Sequence, residues 1–95
     1  MERETRATEL TDFCLVLTPT LSAADRASEA IWKRFAFLAD EIRREVAAVV
    51  AELVQSSVER RPRKPITVSI ALEADSIHGE VSDGDLVPFQ IPLPA

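Results

Sequence analysis

The spacing of apolar residues along this chain changes period twice. Thr11 to Thr18 is rich in β-branched and apolar types and predicts a strand, which Pro19 ends because proline has no N–H for a sheet ladder. From Ser22 the spacing becomes helical: Ala24, Ile31, Phe35 and Leu38 share a face, and Trp32 and Phe37 widen it. Ser22 stands where a helix cap belongs, with Asp25 at the position of a capping-box acid. Asp40 offers a second helix start, followed by a stripe of Ile42, Val46, Val49, Leu53 and Val54. No glycine or proline separates the two segments, so two helices and one long bent helix both fit. Pro62 and Pro65 close the helical region. Ile66, Val68, Ile70 and Leu72 then alternate with Thr67, Ser69 and Ala71, a period of two. After Ala74-Asp75-Ser76, the segment Ile77 to Asp83 returns with Ile77, Gly79 and Val81 on one face, which completes a β-hairpin.

The order strand, helix, helix, strand, strand predicts an α+β fold. It is a two-layer sandwich with an antiparallel sheet of about three strands and two helices on one face, the arrangement that buries every stripe. Residues 1–10 are polar and read as a disordered leader, and 11–88 form a single domain. Residues 89–95 read as an extended Pro-rich tail; Pro88, Pro92 and Pro94 argue against a central strand.

Composition narrows the class. Hydrophobic residues at 46% exclude a disordered chain. Sixteen acidic against 11 basic residues give a net charge of -5, which disfavours nucleic acid as a partner. The run Arg60-Arg61-Pro62-Arg63-Lys64 is either a local anion patch or a solvated loop. Cys14 is the only cysteine, so no disulfide framework exists; its apolar neighbours suggest a buried thiol. No apolar stretch approaches the roughly 20 residues that span a bilayer. A cytoplasmic location without membrane contact is the expectation. His78 alternates with the buried face of the hairpin and reads as a surface residue.

Two short motifs carry the candidate chemistry: Glu52-Leu53-Val54-Gln55-Ser56-Ser57-Val58 at the end of the second helix, and Val81-Ser82-Asp83-Gly84 at the end of the hairpin. Their order and placement resemble the GHKL, or Bergerat-fold, ATPases, in particular the anti-sigma regulatory factor and serine-protein-kinase branch. In that branch the helix carries Glu-Leu-Val-x-Asn-Ala-Val-Arg-His, and the hairpin ends in Val-x-Asp-x-Gly or Asp-Gly. Here Glu52-Leu53-Val54 and Val58 match, Ser56 replaces the asparagine, Ser57 the alanine and Arg60 the final histidine. The likeness covers roughly residues 11 to 88 and would make the fold a partial Bergerat fold.

The resemblance implies roles. Glu52 would be the general base that activates a partner's serine, and Ser56 the ligand of the Mg²⁺ that bridges ATP phosphates. Arg60 and Gly84 would border the nucleotide, and Asp83 would accept a hydrogen bond from the adenine amine. Positions i and i+4 share a helix face, so Glu52 and Ser56 would open together into a cleft between helix and sheet. Ser56 reaches less far than an asparagine carbonyl, and Mg²⁺ requires oxygens at about 2.0–2.1 Å. Gln55 does not replace it, lying about 100° round the helix. Two plainer roles compete: Glu52 as a boundary carboxylate on a solvated helix edge, and Asp83 as a turn residue that caps N–H groups before Gly84.

Family members continue into a lid, a second glycine-rich phosphate motif and further elements. Here Ala95 is the last residue, and Gly79 and Gly84 are the only glycines. A shortened chain, or a scaffold that has lost catalysis, would follow. The expectation is therefore an anti-sigma-like ATP-binding regulatory domain with weak or no nucleotide binding. Its kinase-like scaffold would be inactive, with ATP and Mg²⁺ as cofactors only if the site works. The alternative is a non-catalytic interaction module on the same scaffold. Expected partners are a sigma factor or an anti-sigma antagonist, and a second copy in a homodimer.

Overall fold

The computed structural model describes residues 13–94. The leader and the predicted strand start at Thr11 lie outside the described residues, as does Ala95. The elements are β1 (Phe13–Leu17), α1 (Ala23–Arg34), α2 (Asp40–Glu59), β2 (Ile66–Leu72), β3 (Ser76–Ser82) and β4 (Leu86–Pro92). The strands form one antiparallel sheet in chain order, β1-β2-β3-β4. The Cα atoms extend 37 × 36 × 17 Å, and the thin dimension is one helix layer on one sheet. This is the two-layer α+β architecture, with four strands where the period-two pattern counted about three.

The fourth strand comes from the expected tail. Val87, Phe89 and Ile91 alternate toward the helices, and Ile91 is buried. Register pairs run from Ser82↔Leu86 to Ser76↔Pro92, so residues 89–92 belong to the sheet. The prolines are compatible because β4 is an edge: Pro88 and Pro92 lie in phase, and the nitrogen of each can face away from β3 without removing a ladder bond. The opposite edge, β1, has no proline and no charged residue.

The core follows from phase. Leu17, Ile66, Val68, Ile70, Ile77, Val81 and Ile91 rise from the sheet against Ala23, Ala27, Ile31 and Phe35 on and just after α1, and Val46, Ala47, Val50 and Val54 on α2. Val49 and Leu53, expected at the centre of the α2 stripe, pack at its border. The break at Asp40 is real: Phe35 donates its N–H to Ile31 O, and α2 starts five residues later. Arg43 holds the corner between the helices. Its guanidinium lies 4.1 Å from the Trp32 ring centroid and donates to Trp32 O at 3.3 Å and Asp40 Oδ1 at 2.7 Å. Ser22 does precede α1, but its hydroxyl meets Thr20 Oγ1 at 3.2 Å instead of capping the helix.

Gly79 is needed for packing. A Cβ there would lie 2.3 Å from Phe89 Cζ and 2.9 Å from the Ser69 carbonyl oxygen, so the Phe89 ring occupies the space a side chain would take. The two residues are cross-strand partners. The far side of the sheet bears Cys14, Val16, Thr67, Ser69, His78, Glu80 and Ser82. Cys14 is thus exposed, not buried, because it is out of phase with Phe13, Leu15 and Leu17. Phe35 is core, whereas Phe37 stands largely in solvent. Among the described residues no helix is long and apolar enough to cross a membrane.

Candidate functional site

The last two turns of α2 run toward the turn between β3 and β4, and the two motifs meet there. Asp83 continues the inward parity of Ile77 and Val81, so its carboxylate points at the helix layer, where its side chain is only 5% exposed. Three donors converge on it. Ser57 Oγ donates a hydrogen bond to Oδ2. An Arg60 guanidinium nitrogen reaches the same oxygen at 2.7 Å. The Asp85 N–H donates to Oδ1 at 3.1 Å. These contacts pull the Asp83 pKa below its ordinary value; the Ser57 hydroxyl contributes most, then the Asp85 N–H, against an opposing push from burial, with Arg60 adding to the depression. Gly84 follows at φ 117°, a conformation that favours glycine and lets the turn bring the Asp85 N–H back to the carboxylate.

Ser57 is placed by the helix. It falls in phase with Val46, Val50 and Val54 and is buried with them. Its hydroxyl would be costly there without a partner, and Asp83 supplies one. Arg60 comes one turn later, at the C-cap, half in solvent. The helix closes through Arg60 N–H to Ser57 O at 3.0 Å and Arg61 N–H to Val58 O at 2.9 Å.

Glu52 and Ser56 are placed differently. Both are exposed, on the side of α2 away from the sheet. Ser56 is about 100° and Glu52 about 140° round the helix from Ser57 at 3.6 residues per turn. They share a face with each other, as their spacing requires, but that face does not open between helix and sheet. The expected cleft is corrected on this point: motif register put Ser56 inside, whereas the apolar stripe puts Ser57 inside. Of the proposed site residues, the fold brings together Arg60, Asp83 and Gly84, and leaves Glu52 and Ser56 apart from them. As they stand, these side chains do not fit one ATP–Mg²⁺ pocket. The Asp83 carboxylate already accepts from Ser57, Arg60 and Asp85, and Glu52 and Ser56 stand on another side of α2.

Ser57 is the member of this cluster that motif reading missed. Its signal was available: a hydroxyl in phase with three valines must bond something buried, and Asp83 has inward parity. A second polar cluster lies at the other end of the sheet. His78 Nε2 is 2.8 Å from Ser76 Oγ and 3.3 Å from Glu73 Oε1. Serine and carboxylate approach the same ring nitrogen, so this is not a nucleophile–base–acid relay, in which the acid holds the other nitrogen.

Comparisons with known proteins return no match: no family model fits the chain, and no curated protein or solved structure is significantly similar to it.

Proposed function

We propose that the chain is a regulatory domain of anti-sigma type that acts by contact with a protein partner, on a GHKL-like scaffold whose nucleotide site is degenerate. One observation carries this. The two residues that depart from the helix motif next to the sheet, Ser57 for alanine and Arg60 for histidine, are the two side chains that occupy the Asp83 carboxylate. In the family this resembles, that carboxylate is the adenine acceptor. An acceptor bonded from within offers little to an incoming amine, and Arg60 would have to leave before a base could approach. Ser56 in place of asparagine weakens the metal position independently. The expected partner is a sigma factor or an anti-sigma antagonist, in a cytoplasmic setting, with no phosphoryl transfer.

Calorimetric titration with ATP and Mg²⁺ tests the reading. The expected result is no Mg²⁺-dependent heat at submillimolar ATP. Submillimolar, Mg²⁺-dependent affinity that Asp83→Asn weakens would restore a working nucleotide site and end this proposal.

A second reading, a dimerisation module, is favoured by the β1 edge, which no other described strand covers. Phe13 to Leu17 exposes one row of backbone donors and acceptors without charge or proline, and Phe37 stands exposed near its start, packed 5.9 Å from Phe35. A second copy related by a two-fold axis would cover both.

A further inference from the structure

The loop between α2 and β2 is the most basic stretch of an acidic chain. Four of its 11 cations fall within residues 60–64, with no acid among them. Arg60 is committed to Asp83. Arg61, Arg63 and Lys64 are exposed, and none pairs with a carboxylate among the described residues. Among the described residues no ion pair joins Glu59 or Asp85 to them, and Glu59 accepts from Gln55 Nε2 at 3.4 Å.

Lys64 does not simply extend into water. Its stem lies across Gly84, with Cδ 4.0 Å from where a Cβ would be. There it forms one wall of an open groove of ≈ 420 Å³ on the helix-free side of the sheet. Val16 and Pro65 give the groove an apolar floor, and the Thr67 and Ser82 hydroxyls line it. Leu86, opposite Ser82 in the register, ends the cross-strand row Val16–Thr67–Ser82–Leu86, in which the two hydroxyls lie between apolar ends. Val16 is 63% and Leu86 56% exposed, so both apolar ends of the row are uncovered among the described residues.

Backbone strain adds an independent sign. Arg61 sits at φ 53°, the left-handed position after a helix that glycine fills most easily. A cation held where glycine would be less strained suggests that the side chain is used.

We infer that this groove and loop dock an acidic, extended segment of a protein partner, with aliphatic side chains on Val16 and Pro65 and carboxylates against Arg61, Arg63 and Lys64. The chemistry favours a peptide over a nucleic acid. Nucleic-acid surfaces spread cations along a phosphate track, whereas here they are confined to one loop of a chain with net charge -5. The kind of occupant rests on the protein-contact function proposed above. The site itself does not, so ATP binding would sink that proposal and leave this one standing.

The test is a titration of the ¹⁵N-labelled full chain with a short peptide of alternating Asp and Leu, followed by amide shifts. Shifts should concentrate at Thr67, Ser82 and Gly84 and weaken as salt rises from about 50 to about 500 mM. Arg63→Glu combined with Lys64→Glu should weaken binding about tenfold or more at unchanged melting temperature, since these are exposed charges outside the core. Arg61→Gly should raise the melting temperature and weaken binding together, a pairing that a purely structural arginine would not give. The inference is overturned by absence of binding at millimolar peptide, by shifts elsewhere on the surface, by indifference to the charge reversal, or by a single-stranded oligonucleotide of equal charge binding as tightly.

Discussion

Removing the Ser57 hydroxyl tests the tie between α2 and the β3–β4 turn. Ser57→Ala deletes the donor that most depresses the Asp83 pKa. A hydrogen bond to a charged group is worth about 1.5–3 kcal/mol. Against this, alanine is the better helix former by about 0.5 kcal/mol, and Asp83 keeps Arg60 and the Asp85 N–H. The expected loss is about 1–2 kcal/mol at neutral pH. Its pH dependence has a definite sign. The tie favours the charged carboxylate, so its stabilisation is complete above the ordinary carboxylate pKa of about 4 and fades as pH falls through the lower folded value. Urea unfolding of the native chain, Ser57→Ala, Asp83→Ala and the double variant should be measured from pH 7 down to pH 3. The double-mutant cycle should give a coupling of about 1 kcal/mol or more at pH 7 that shrinks in acid. No coupling, or coupling that is constant with pH, would refute the account of Asp83 as a charged acceptor held by Ser57.

Gly79→Ala should destabilise by about 1–3 kcal/mol, because the new methyl meets the Phe89 ring and the fixed Ser69 carbonyl; a neutral change in a thermal melt would show that the ring swings away freely. Val54→Ala should cost about 2 kcal/mol, and Leu53→Ala no more than that despite losing the larger side chain, since only Val54 is fully buried. A Leu53→Ala loss greater by over about 1 kcal/mol would mean that the buried face of α2 is rotated. Light scattering at micromolar concentration should give a dimer mass, and charge placed on the free edge by Val16→Lys should shift it to monomer. A monomer mass for the native chain with a cooperative melt would mean that the β1 edge needs no partner.

The sheet was legible because period two is unambiguous: Ile66, Val68, Ile70, Ile77 and Val81 are inward as their alternation demands. The phase of α2 was less so. Val49 and Val50 are adjacent and both apolar, as are Leu53 and Val54, so the sequence permits stripes centred on either set. Contact with the sheet selects Val50 and Val54. β4 was obscured by applying a rule about central strands to an edge, although the alternation of Val87, Phe89 and Ile91 was present. In the site, the parity of Asp83 correctly gave its direction. Glu52 and Ser56 were oriented by motif analogy, which carries no information about which side of this helix is apolar.

The two borders of the sheet differ in a way that sets the limits of assembly. A strand added to β1 finds continuous backbone donors and acceptors, whereas a strand added to β4 meets Pro88 and Pro92, where donors are missing. The sheet therefore has one extendable end and one terminated end, like a monomer with a single reactive group. Joining two such sheets at β1 consumes both extendable ends and leaves prolines at each margin of the eight-stranded product. Assembly by that route would end at two copies, since neither margin of the product would offer an uninterrupted row of donors.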